Sequence, residues 1–455
     1  MENSDTTLLM KEAKFDLNEL FFSITKHDST IVSGNETFVR ISGYTKDEIM
    51  GKFHNIIRHQ DMPRILFKIF WDYLNANKPV VAYVKNKTKD GAYYWVFAVV
   101  FPLGDEYISI RIKPNTPIFS VVKDIYLKLR AAEAELTMDQ SEELLLKLLN
   151  EHGFSNYDHF MNEVLLAELL ERKKLLLATP SNDSDHDEIN SPFALKVKPL
   201  YNVSKTLLYE YAKWFEKIDS FTKIKLMFEE KGLILRTLAR DIVFLSLNAS
   251  VASYKLDVNG ETFGVLASDI RTNAKENDTL IGKIHETSVY LAESFNEIIF
   301  LVSYISLQME MMTYFIHEIL CDQNEEINPS VDTLFELVSL YNEKLMGLPF
   351  LFEKAIGKNI AYLEELDQQM MYLGYVQIYG IIESARCNDN GLGFGEIFSQ
   401  LKNLIAKTSD EILLMKSMAE SFYLDNRVLI KESKDIELML SCLKSEISKI
   451  KNMEK

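Results

Sequence analysis

Leu291, Phe295, Ile298, Val302, Ile305, Met309, Met312, Ile316 and Ile319 recur at steps that alternate four and three residues. No other feature constrains this chain as much. Such spacing makes a narrow supercoiled seam rather than the broad apolar face of a globular helix, so the segment must pack lengthwise against other long helices. Upstream, Leu235, Leu238, Ile242, Leu245, Ala249 and Ala252 keep the same rhythm. Between the two runs lies "ASYKLDVNGETFGVLA", residues 252–267, whose Asn259-Gly260 reads as a turn. The turn has an echo at residues 383–398, "ESARCNDNGLGFGEIF". Ser253, Asn259, Gly260, Phe263 and Gly264 return there as Ser384, Asn390, Gly391, Phe394 and Gly395, without a gap.

Around the second turn the seam is carried by Leu366, Leu373 and Val376, interrupted at Gln369, and by Leu401, Leu404, Met415, Met418 and Phe422. Two helical hairpins are therefore expected, 198–322 with its tip near 256–262 and 330–452 with its tip near 387–393. Arms of roughly 55–60 residues would span about 80–90 Å. One hairpin cannot bury both sides of its seam, whereas two make an antiparallel four-helix coiled-coil bundle with both turns at one end. Gly347–Phe350, "GLPF", is expected to kink or interrupt the third long helix.

The first part of the chain differs. Residues 15–113 hold the β-rich runs "LFFSIT", "STIVSG", "PVVAYVKNKT", "AYYWVFAVVFPL" and "EYISIRIK". "ETFVRISGYTKDEIMGK" and "DMPRILFKIFWDYLNANK" read as helices, and Asp90-Gly91 as a hairpin turn. Residues 118–178 read as a charged helical relay, and 179–194 as an acidic, proline-bounded linker. The expected fold class is thus an α+β domain followed by an all-α bundle.

Composition excludes several classes. With 67 acidic and 50 basic residues the formal charge is −17, and no basic cluster offers a nucleic-acid or anionic-membrane surface. Three scattered cysteines form neither a disulfide framework nor a zinc site, and His152, His159 and His186 stand apart. The most apolar stretch, residues 296–320, carries Asn296, Glu297, Gln308 and Glu310, so no membrane insertion is expected. The start has no signal-peptide pattern, and a soluble, cytoplasmic protein is expected. No P-loop, nucleophile elbow or Ser/His/Asp set is present, so neither catalytic nor metal-binding residues are assigned. His317-Glu318 has the look of a phosphoacceptor pair, but it reads better as a solvated helix position.

"LNASVASYKLDVNGETFGVL" and "IIESARCNDNGLGFGEI" resemble the cytoplasmic signalling tip of methyl-accepting chemotaxis receptors. In that family two subunits each supply one hairpin, whereas a tandem pair would supply both from one chain. The resemblance implies a partner-binding tip at Asn248, Lys255, Phe263, Glu383, Arg386 and Phe394. The implied partners are other chemoreceptors, the coupling protein and the histidine kinase. Only Glu383 and Arg386 keep the family's acid–base pair; Ala252 and Lys255 stand at the matching places of the first copy. "MFEEKGL" and "YLEELDQQMM" are candidate methylation stretches that read equally as exposed acidic helix faces.

"SGNETFVRISGYTKDEIMGKFHNIIRHQDMP" and "VKNKTKDGAYYWVFAVVFPL" resemble the PAS domain of bacterial aerotaxis receptors, which holds FAD. The resemblance covers most of residues 15–113 and implies a cofactor site at Asn35, Arg58, His59, Asp61, Phe67, Trp71, Asn86 and Tyr94. Val80 replaces a tryptophan of that family. Read without the resemblance, Asn35 is an N-cap, Arg58 and Asp61 an ion pair, and Tyr94 a sheet residue. Together the two resemblances imply a soluble redox or energy-taxis transducer, with PAS-mediated self-association open. The alternative is a scaffold that binds receptor tips without controlling a kinase. A third reading, a flavoenzyme, has no substrate base or nucleophile to support it.

Overall fold

The computed structural model describes residues 11–178, 191–254, 260–321, 328–386 and 393–454. They form an α+β domain followed by long helices. The sheet has five antiparallel strands: β1 (Phe21–Lys26), β2 (Ile31–Gly34), β3 (Val80–Lys87), β4 (Tyr93–Leu103) and β5 (Glu106–Ile112). Their spatial order is β2-β1-β5-β4-β3.

Between β2 and β3 come α1 (Glu36–Ser42), α2 (Lys46–Ile49), a 3-10 turn at His54–Ile57 and α3 (Arg64–Asn75). The single helix expected from "ETFVRISGYTKDEIMGK" is two. Gly43, at φ 74°, adopts the left-handed conformation that ends α1, and Thr45 with Glu48 opens α2 as a capping box.

The two faces of the sheet bury different sets. Phe21, Phe38, Ile41, Ile49, Ile57, Tyr94, Val96 and Ala98 form the core under α1 and α2. On the opposite face Phe22, Ile24, Tyr83, Phe97, Val99, Phe101, Ile108 and Ile110 are also buried. Each such side chain gains roughly 1.5–3 kcal/mol on leaving water, so this face cannot stay bare. Part of its cover comes from α4 (Ile118–Ala132), α5 (Met138–Glu151) and α6 (Tyr157–Ala178). Phe119 stacks on Tyr83 at 5.4 Å, and the hydroxyls of Tyr126 and Tyr157 donate to the Tyr83 and Val81 carbonyls.

Two buried carboxylates tie this cover down. Glu133 accepts from the Arg64 and Ile65 amides at 2.8 and 2.9 Å, filling the α3 N-terminus that Pro63 cannot cap. Glu168 accepts from the Tyr83 and Thr116 hydroxyls and from the Asn115 and Thr116 amides.

The remaining helices are α7 (Pro192–Glu216), α8 (Ile218–Ser253), α9 (Gly260–Cys321), α10 (Ser330–Arg386) and α11 (Phe394–Glu454). Because α7 begins at Pro192, the last residues of the expected linker are helical, and the first arm breaks at Lys217. The chain divides into two compact units. One comprises Met1–Lys213, Val302–Asn342 and Leu438–Lys455; the other comprises Trp214–Leu301 and Glu343–Glu437.

All nine seam residues of α9 are buried. On α11 the 3–4 rhythm runs from Ile412 through Met415, Ala419, Phe422, Asn426, Leu429, Ser433, Ile436, Leu440, Leu443 and Ile447 to Ile450, every one buried. Leu404 and Met418, assigned to this seam from sequence, are only partly buried. On α10 Met370, not Gln369, continues the spacing from Leu363 and Leu366 to Leu373, so the seam is not interrupted there.

In the second unit Phe221, Phe295, Phe352 and Phe422, one from each of α8 to α11, meet in one layer, with Phe295 4.8 Å from both Phe352 and Phe422. Nor does Pro349 interrupt α10. The helix continues through it, and Asn426 donates to the Pro349 carbonyl at 2.7 Å.

One window of α9 is long and apolar enough to cross a membrane, with mean hydropathy 1.4, although the sequence reading found no such stretch. Its side chains are 78% buried within the protein, as expected of a bundle-core helix.

Candidate functional site

A cavity of about 320 Å³ lies between the inner face of the sheet, the 3-10 turn and α3. Strand alternation supplies its floor: Ser23 and Thr25 from β1, Val84 and Asn86 from β3, Ala98 and Val100 from β4, and Tyr107, Ser109 and Arg111 from β5. Phe67, Phe70, Trp71 and Leu74 of α3 form the apolar side, and His54, Asn55 and Arg58 close the edge. The size falls at the lower end of the roughly 300–1,000 Å³ typical of ligand sites.

Of the residues expected to hold a cofactor, Arg58, Phe67, Trp71 and Asn86 line this cavity. Arg58 lies 3.7 Å above the Phe67 ring, and burial pulls its pKa below the usual guanidinium value. The other four do not line it. Asn35 Oδ1 accepts from the Phe38 amide, capping α1, and from the Phe22 amide. Asp61 pairs with Lys85 at 2.5 Å and His59 at 3.4 Å, so the Arg58–Asp61 pair is not formed. Burial, then the Lys85 charge, pushes the His59 imidazole down. Tyr94 is packed in the core, where burial raises its phenol. Val80 shares the inner face with Val84 and Asn86 but contributes no cavity wall.

The residue that sequence reasoning missed is Arg111. It is 2% exposed, and among the described residues no carboxylate pairs with it. Its Nη2 donates to Ser23 Oγ at 2.9 Å and to His54 Nε2 at 2.6 Å, while Nη1 has no partner among the described residues. Burial lowers its pKa to about 10. Burial, and after it the Arg111 charge, holds His54 down to about 3; the imidazole is neutral, and its Nε2 is the acceptor. Asn86 Nδ2 is likewise buried and has no hydrogen-bond partner among the described residues; the Tyr94 hydroxyl, on the residue opposite it across β3 and β4, is buried without one too. A cation without an anion and an amide without an acceptor thus face one small apolar slot. A planar ligand with an acceptor-rich polar edge satisfies both donors. A flavin ring has that shape and edge, so these residues fit the cofactor the sequence resemblance implies.

At the other candidate site Asn259, Lys255, Asn390 and Gly391 lie outside the described residues. Phe263 and Phe394 are both buried and stack on each other at 4.3 Å, so the two hairpins meet just inside the tips. Glu383 accepts from Arg386 at 2.9 Å within α10, and Asn248 is exposed. Phe244, Leu247 and Val251 on α8 and Tyr375, Ile378 and Ile382 on α10, the same positions of the repeat, are exposed apolar residues.

Residues 31–110 match the PAS fold family. Over 114 residues the chain is 39% identical to the aerotaxis receptor of Escherichia coli strain K12, a match covering 24% of this chain and 22% of that receptor. The chain therefore spans about a fifth of the length of that curated relative. Solved structures that resemble it include the blue-light activated histidine kinase of Erythrobacter litoralis EL346 (13% identity, 25% of this chain and 40% of that one, TM-score 0.21). The dark-state LOV domain of the blue-light photoreceptor Aureochrome1 is another (22% identity, 23% and 81%, TM-score 0.21). With its five-stranded antiparallel sheet, its family match and its aerotaxis-receptor relative, the N-terminal region of this chain is a PAS domain.

Proposed function

We propose that this protein is a non-enzymatic, cytoplasmic signal transducer whose PAS domain binds a flavin, FAD, and reports its redox state through the helical bundle to a chemotaxis array. The observation that carries the sensor half is Arg111: a buried guanidinium with no carboxylate partner among the described residues, an unpaired Nη1, and a cavity that it helps to line. Bound there, a flavin would supply reversible electron transfer. Arg111 Nη1 and Asn86 Nδ2 would donate to its polar edge, Phe70, Leu74, Val84 and Val100 would exclude water from its ring, and Arg58 and Asn55 would flank the emerging chain. A change of charge at that edge would be felt first by Arg111 and through it by Ser23 on β1.

The output half rests on the repeated, exposed apolar positions of α8 and α10, which suit a partner such as coupling protein, kinase or another receptor. A second reading, a scaffold that binds receptor tips without controlling a kinase, is favoured by two observations. Glu383 and Arg386 satisfy each other within one helix, and the tip phenylalanines are spent on each other.

The test of the sensor is the absorbance of the purified chain, as isolated and after incubation with FAD. A bound, reducible yellow chromophore is expected; protein that stays colourless after reconstitution overturns it. Capture of coupling protein and kinase together, lost on substituting Tyr375 and Ile378 by Asp, separates transducer from scaffold.

A further inference from the structure

The Asn35 side chain is fully committed. Its Oδ1 accepts from the Phe22 and Phe38 amides at 3.1 and 3.3 Å; its Nδ2 donates to the Leu20 carbonyl at 3.1 Å and to Glu318 Oε1, on α9, at 3.0 Å. The same Glu318 oxygen accepts from the Thr37 hydroxyl at 2.9 Å, which also lies 3.1 Å from the Tyr314 hydroxyl. Beside this cluster Phe315 meets Phe22 edge-on at 4.9 Å. Asn35 and Thr37 are buried, and Glu318 Oε2 is buried without a partner among the described residues.

Among the described residues, a carboxyl group so placed meets neutral donors and no cation: Arg40 is paired with Glu19, and the neighbouring His317 faces Tyr201. The cluster also adjoins the cavity wall. Phe22 precedes Ser23, the Arg111 partner, so consecutive residues of β1 serve the two sites on opposite faces of the sheet.

We propose that Glu318, held by Asn35 and Thr37, is a releasable latch by which the β1–α1 corner of the PAS domain grips the Tyr314–Glu318 turn of α9 and passes strain from the cavity wall to that helix. Asn35 cannot turn toward another partner without giving up four hydrogen bonds at once, so the contact is either made or broken. The latch stands whatever ligand fills the cavity.

It also carries a proton. Burial, opposed by the Thr37 and Asn35 hydrogen bonds and reinforced by the charge of Glu36, raises Glu318 to about 7. Of the other groups facing it, Tyr314 shares the Thr37 hydroxyl and is held neutral chiefly by burial, while Glu19 and Arg40 bear on Tyr314 from the PAS side. The docked carboxyl therefore holds its proton to higher pH than a free one at 4.5. Docking is tightest below about 4.5, weakens as pH rises through about 7, and is flat beyond.

The test is amide hydrogen exchange on the full chain for wild type, Glu318→Gln and Glu318→Ala. Gln keeps the Oε1 acceptor and stays neutral at every pH, standing in for the protonated acid; Ala removes the acceptor altogether. At pH 7 Glu318→Ala should raise exchange at Phe22, Phe38 and residues 304–318 by roughly tenfold, with Glu318→Gln protected at least as well as wild type. Between pH 5 and 7, after correction for intrinsic rates, wild type should lose protection there that Glu318→Gln keeps. Equal exchange in all three proteins overturns the latch. So does an equal rise in both variants, and so does a rise in Glu318→Ala spread over the whole domain rather than confined to these segments.

Discussion

Replacing Arg111 by Met separates a ligand-binding cation from a structural one, because the two roles predict opposite signs. The guanidinium is buried beside neutral partners, and that burial draws its pKa below the usual guanidinium range, to about 10. At about 1.4 kcal/mol per pH unit, the charged form costs on the order of 3 kcal/mol in the ligand-free protein. Methionine fills similar volume without the charge, although Ser23 and His54 each lose a donor worth about 1 kcal/mol. Arg111→Met should thus leave the ligand-free PAS domain as stable as wild type or about 1–2 kcal/mol more so. Flavin affinity should fall about 10- to 100-fold, the value of one charge-assisted hydrogen bond of roughly 1.5–3 kcal/mol. Urea unfolding followed by tryptophan fluorescence reads the first quantity, and flavin fluorescence titration the second. A variant destabilised by several kcal/mol that binds flavin as tightly as wild type would refute the reasoning and make Arg111 a strut.

His54 sets an acid limit. Its folded pKa lies below the ordinary 6.5, so the stability it lends is present above 6.5 and is lost as pH falls toward 3. His54→Gln should flatten that limb in unfolding measured between pH 7 and 4. Glu168→Ala strips four donors of their acceptor and should cost about 3–5 kcal/mol, read as faster proteolysis of α6; equal proteolysis would mean that the apolar contacts suffice. Gly380→Ala places a Cβ 2.2 Å from the buried Phe398 ring and should cost about 1–3 kcal/mol of overpacking, less the roughly 1 kcal/mol that Ala gains in a helix. Adding Phe398→Ala should couple favourably with it in thermal melts, whereas strict additivity would show that the ring moves aside freely.

Much of this architecture was legible because it is periodic. The strands follow β-branched and aromatic runs, and the α9 seam could be read residue by residue. Reading failed where one residue decides between adjacent positions. Gln369 stood where a coarser count put the seam, but the unbranched side chain of Met370 occupies it. Failure was worse for long-range polar ties. Glu133, Glu168 and Glu318 sit in charged helical sequence that looks solvated, and only the tertiary fold brings amides and hydroxyls to them. Arg111, in "EYISIRIK", alternates with isoleucines like any solvent-facing strand residue. What hides its role is that this face of β5 looks into a cavity. Half of the expected cofactor residues line that cavity; Asn35, His59, Asp61 and Tyr94 are taken up by capping, pairing and packing.

Gly380 and Phe398 occupy the repeat positions that Ala249 and Ala267 hold in the first hairpin, and Ala249, Ala267 and Phe398 are all buried. Two small methyl groups in one copy correspond to an empty place and a benzyl group in the other. If both hairpins descend from one ancestor with the alanine pair, history ran through a single-substitution intermediate. An alanine facing the new ring would have been crowded, whereas a glycine facing the old methyl leaves only a tolerable gap. On that descent the glycine came first, and the ring, once in place, bars the return to alanine.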